Sequence, residues 1–90
     1  MTENELEKMR LEIDKIDSEI VQLFAKRFEV VRKIGTLKKA NGVEIVDKNR
    51  WKKVLEKVGN LAEKKGISTK FIHEIYEKIH DYACELERQF

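Results

Sequence analysis

Apolar residues recur in steps of three and four along the first part of the chain: Leu6, Met9, Ile13, Ile16, Ile20, Leu23, then Val30, Ile34 and Leu37. This alternation is a heptad seam, broken only at position 27, where the seam residue is Arg27. It predicts one helix from about Asn4 to about Lys39, roughly 54 Å long at ~1.5 Å per residue. A compact chain of this size has a radius of gyration of only about 12 Å. Such a helix needs partners along its length, so the pattern predicts a homodimer: two long helices run side by side, and shorter helices wrap both.

The pattern then stops at "ANG", Ala40 to Gly42, and resumes twice. Asp47 is a good N-cap for a second helix, because its carboxylate can accept from the free N–H groups of the first turn. Trp51, Val54, Leu55, Val58, Leu61 and Ala62 share one face of that helix, and Gly66 is placed to end it. With Asp47 as N-cap, Val46 and Trp51 have the spacing of a hydrophobic staple, which would seat the indole on Val46. Ser68 is a second N-cap, and Ile67 and Ile72 flank it as another staple. The third stripe runs Ile72, Ile75, Ile79, Ala83, Leu86 and Phe90. The expected fold is therefore all-α, with one long and two shorter helices in a single domain over residues 1–90.

Composition supports this picture and narrows the function classes. Charged residues make up 40% of the chain, yet the formal net charge is only +2, so acids and bases interleave on solvated helix faces. No basic stripe for nucleic acid emerges. There is no proline, and one cysteine excludes an internal disulfide framework and suits a reducing compartment. The N-terminus is charged and lacks the apolar core of a signal peptide, and no apolar run is long enough to cross a bilayer. A cytoplasmic protein is expected.

The cations that interrupt the seam carry the candidate chemistry. A buried guanidinium needs an anion, so Arg27 calls for either an internal ion pair or a ligand. Lys38 follows eleven residues later, about three turns on and on nearly the same face. Arg10 lies at the seam edge, roughly 25 Å before Arg27 at ~1.5 Å per residue, too far for one small ligand to touch both in one chain. In an antiparallel dimer, Arg10 of one copy can approach Arg27 of the other, and symmetry makes two such sites. Each would be lined by Arg27, Lys38 and the first turn of the second helix, including Arg50. A pocket so rich in cations predicts a small dianion or trianion, and arginine forks suit carboxylates.

The order of these residues resembles the all-helical class of chorismate mutases. The similarity rests on Arg10, "RLEIDKID", "FAKR" ending at Arg27, "IGTLKK" containing Lys38, and Asp47-Lys48-Asn49-Arg50. It extends over essentially the whole chain. The resemblance implies a domain-swapped dimer that converts chorismate to prephenate without cofactor or metal, on the route to phenylalanine and tyrosine. It implies that Arg27 and the partner's Arg10 clamp the two carboxylates, and that Lys38 contacts a carboxylate and the ether oxygen. Asp47 would meet the ring hydroxyl, Arg50 would add positive charge, and Ile34 and Val54 would form apolar walls. An isochorismate-pyruvate lyase of the same fold, or a helical dimerisation module without catalysis, are the alternatives.

Three positions depart from the family pattern. Trp51 stands where a glutamate often follows the arginine, and Ala83 where a serine is common; both exchanges place apolar groups on the pocket wall. Glu87 stands where a glutamine often donates to the ether oxygen. Some members, notably fungal ones, carry glutamate there. An ionised carboxylate cannot donate, so in that role Glu87 would act only when protonated, and activity would rise as pH falls. His80 and Cys84, four apart, with His73 nearby, are too few ligands for a zinc site and read as packing residues.

Overall fold

The computed structural model describes residues 2–89 and contains three helices: α1 (Glu3–Asn41), α2 (Lys48–Lys64) and α3 (Thr69–Gln89). Among the described residues there is no strand, so the class is all-α as the periodicity predicts. No described helix is long and apolar enough to cross a membrane. Phe90, placed at the end of the third stripe, lies outside the described residues. The chain divides within α1 into two units, Met1–Val30 and Val31–Phe90.

The first unit is the N-terminal part of α1. Thr2 opens it, its hydroxyl accepting from the Glu5 N–H at 3.2 Å, and Glu3 and Glu5 complement the positive end of the helix dipole. Its apolar seam residues are all exposed, from Leu6 at 37% to Leu23 at 63%. Isolated exposed apolar residues are ordinary, but a continuous row at heptad spacing is an unpartnered face. Phe24 and Phe28, one turn apart, stack with ring centroids 6.0 Å apart.

The second unit comprises the end of α1 with α2 and α3. Its core is Val31 of α1, Ala62 of α2, and Ile79, Ala83, Cys84 and Leu86 of α3. The third-helix stripe expected from sequence is therefore the one that packs. On α1 the buried positions are Val31 and Gly35, each one residue beyond the seam positions Val30 and Ile34. One residue is about 100° around a helix, so the face that packs within the chain is not the heptad face. Gly35 explains the fit: a Cβ there would come within 2.9 Å of the Glu87 Cα, so only glycine allows α3 this close to α1. Gly59 instead makes room for a side chain between α2 and α3: a Cβ there would come within 2.9 Å of His73 Nε2, which hydrogen-bonds with the Leu55 carbonyl at 3.1 Å.

Both interhelical turns end in the way their glycines suggest. Gly42 and Gly66 have φ of 65° and 71°, the left-handed region. After α1 the Val43 N–H donates to Lys38 O and the Gly42 N–H to Lys39 O; after α2 the Ile67 N–H donates to Ala62 O and the Gly66 N–H to Glu63 O. This paired pattern satisfies the last carbonyls of each helix. Asp47 caps α2, accepting from the Arg50 N–H at 3.0 Å, and Ser68 caps α3, accepting from the Phe71 N–H at 3.2 Å. Ile67 and Ile72 of the expected staple line one apolar recess of about 210 Å³ with Val58, Leu61 and Tyr76.

Candidate active site

Lys38 is the centre of the polar cluster in the second unit. It stands in the last turn of α1, where the helix dipole favours a cation, and Gly35 lies one turn before it on the same face. Because Gly35 admits the α3 backbone at Glu87, the Glu87 carboxylate reaches Lys38: Nζ and Oε1 are 2.8 Å apart. Lys38 Nζ also donates to the carbonyl of Ile45 in the α1–α2 connection at 2.6 Å. One ammonium thus ties α1, α3 and the loop before α2 together. The Glu87 side chain is only 9% exposed and the Lys38 side chain 21%, so the pair can be approached from the lysine side.

Other candidates from the sequence fall around the same elements. Asp47 and Arg50 share the first turn of α2 and are exposed; one carboxylate oxygen of Asp47 serves the cap. Ala83 is buried, Val54 is half-buried, and Ile34 remains 40% exposed. The indole of Trp51 is half-buried and stacks on His80 of α3, with centroids 4.0 Å apart and planes at 16°. Val46, the staple partner expected for it, is left 43% exposed. His80 also lies 3.6 Å from the Cys84 sulfur through Nε2. Burial, and then the negative charge of Glu87, push the Cys84 thiol above its ordinary value, which makes it a packing group and a poor nucleophile.

In the first unit, Arg10 is exposed and Arg27 is half-buried with its Nη1 withdrawn from solvent. Among the described residues no three His, Cys, Asp or Glu side chains converge as metal ligands. Two contacts escaped the sequence reading: the Lys38–Glu87 pair and the Trp51–His80 stack. Each joins helices far apart in sequence, where spacing within a helix gives no signal. Glycine in mid-helix at position 35 is the one local hint, since a residue that weakens a helix is best explained by a close approach.

Comparison with known proteins identifies a family. A family model described as chorismate mutase type II matches residues 9–88. The chain is 36% identical over 85 residues to the T-protein of Haemophilus influenzae, covering 94% of this chain and 22% of that protein. It is 40% identical over 78 residues to the bifunctional chorismate mutase/prephenate dehydratase of Buchnera aphidicola subsp. Schizaphis graminum, covering 87% of this chain and 20% of the relative. It is also 27% identical over 88 residues to the 4-amino-4-deoxychorismate mutase of Streptomyces venezuelae, covering 97% of this chain and 85% of the relative. The chain thus spans about a fifth of the length of the first two relatives.

Proposed function

The chain belongs to the chorismate mutase type II family, and we propose that it rearranges chorismate to prephenate as an intertwined homodimer. The observation that carries the reading is the ammonium of Lys38, fixed by Glu87 and Ile45 yet open on one side, within a chain matched almost end to end by the family. The exposed seam of α1 supports the dimer, because a second copy of the same helix is the simplest cover for a heptad face.

The reaction is unimolecular and forms no covalent bond to the protein. The enzyme must hold the enolpyruvyl arm over the ring in a near-attack geometry and stabilise negative charge on the ether oxygen as its C–O bond breaks. Arg27 and the partner's Arg10 take the two carboxylates. Lys38 bridges a carboxylate and the ether oxygen, and Arg50 adds positive charge from α2. Asp47 meets the ring hydroxyl, with Ile34, Trp51, Val54 and Ala83 as walls. Metal and cofactor have no part in this scheme. The free, buried Cys84 suits a reducing compartment such as the cytoplasm.

The test is a direct assay of chorismate loss with product identification, using Arg27→Ala as control. Prephenate from wild type and its loss in an Arg27→Ala dimer of unchanged Tm support the reading. Pyruvate released from isochorismate, with chorismate untouched, would replace it with the lyase; turnover of neither substrate would leave a dimerisation module.

A further inference from the structure

By spacing alone His80 is a packing residue of α3, but it is half-buried rather than buried and its ring keeps a free hydrogen-bonding group. Trp51 of α2 stacks on the imidazole, with centroids 4.0 Å apart and planes at 16°, which holds the ring in its plane. The Cys84 sulfur lies 3.6 Å from Nε2 and 3.9 Å from Nδ1, and among the described residues it is the one hydrogen-bonding group within reach of the ring. A thiol has one proton to give, and a neutral imidazole has one acceptor nitrogen and one N–H. Cys84 therefore satisfies the acceptor, and the N–H on the other nitrogen is left for a ligand.

The imidazole also stands beside the polar cluster. His80 precedes Glu87 by seven residues, two turns of α3, so the two share a face about 10 Å apart at ~1.5 Å per residue. Cys84 lies between them, near enough to feel the charges of Glu87 and Lys38. On the other side, Trp51 joins the imidazole to α2 one turn after the cap residue Asp47. The strip from Lys38 to His80 is long enough for a substituted six-membered ring, with the His80 end next to the start of α2.

We propose that His80 is a specificity-determining residue, donating its free ring N–H to the ring hydroxyl of chorismate. The inference rests on the mutase reading and deepens it. In that reading the arginines take the two carboxylates and Lys38 the ether oxygen, so the hydroxyl is the polar group left for the α2 end of the site. A hydroxyl both donates and accepts: it gives its proton to Asp47 and accepts from His80. The indole of Trp51 offers no acceptor, and it acts by holding the imidazole in place.

The analogue of chorismate with hydrogen in place of that hydroxyl separates this contact from packing. His80→Phe keeps a ring to stack on Trp51 and removes the N–H. It is expected to lower kcat/KM for chorismate about tenfold, the scale of one hydrogen bond lost in a closed site, and to leave kcat/KM for the deoxy analogue within about twofold of wild type. His80→Leu serves the same comparison if the phenylalanine variant does not fold. Equal losses on the two substrates, or no loss on either, show that His80 only packs and overturn the proposal. Wild type inert toward chorismate removes the mutase reading and this inference with it, whereas an active wild type with equal losses in the variant removes the inference alone.

Discussion

Residues 3–30 and residues 31–89 use the same residue types to opposite ends. In the first region leucine and isoleucine recur at heptad spacing and remain on the surface; Ile13 is 56% exposed and Leu23 63%. In the second, the core is made as much of small residues as of large ones, with Ala62, Ala83 and Gly35 buried alongside Ile79 and Leu86. Large exposed apolar residues in register suit a contact with another copy. Small buried residues bring helices of one chain close enough for polar side chains to meet. On the proposed reading the first region serves association and the second the site, and the enzyme needs both.

The largest effect should come from charging the seam. Ile16→Glu places a carboxylate on that face twice in every dimer, which should weaken association by about 4 kcal/mol, nearly a thousandfold. Sedimentation would read this directly, and association at wild-type strength would show that the exposed row is not an interface. The second region should be sensitive to an added methyl group instead. Gly35→Ala puts a Cβ 2.9 Å from the Glu87 Cα, against backbone that cannot swing aside. A cost of about 2 kcal/mol follows, a fall in Tm of roughly 10 °C, together with slower turnover as Glu87 moves off Lys38. A stable, fully active Gly35→Ala protein would break the link between this close approach and the site.

The smallest effect concerns Cys84. Its thiol is pushed up in the folded chain from the ordinary 9.0, by burial first and by the Glu87 charge second. The unfolded chain therefore releases this proton at lower pH than the folded one. The associated stability is fully present below pH 9.0 and declines as pH rises through the folded value. Denaturation curves should show this alkaline loss in wild type and less of it in Cys84→Ala. Equal losses would mean that the sulfur is more open to water than its 5% exposure implies.

Much of this organisation was legible in the sequence. Three helices, the caps at Asp47 and Ser68, the turn glycine Gly66 and the α3 stripe all follow from local chemistry, because a cap or a stripe is written within a few residues. The face of α1 that packs inside the chain was not legible. Its marks are Val31, Gly35 and Lys38, a valine, a glycine and a cation, overshadowed by the stronger Val30, Ile34 and Leu37 row beside it. The cluster of cations was visible as composition and order, and the resemblance gave it a substrate. The partners of Lys38 and Trp51 were not, since the Glu87 pair and the His80 stack arise from tertiary packing. Trp51 shows the limit of local reasoning: spacing offers Val46 as a staple partner, whereas the stack of the indole on His80 of the facing helix has no local signal.

One mixing experiment tests whether the two regions make a site only across two copies. Arg10→Ala and Lys38→Ala are each made as dimers, assayed alone, then unfolded together, refolded and assayed as a mixture. Each alone should be nearly inactive. In a mixed dimer one site combines the intact Arg10 of one copy with the intact Lys38 of the other, so random pairing should restore about a quarter of wild-type activity. No recovery, with mixed dimers shown to have formed, would contradict a site shared between subunits.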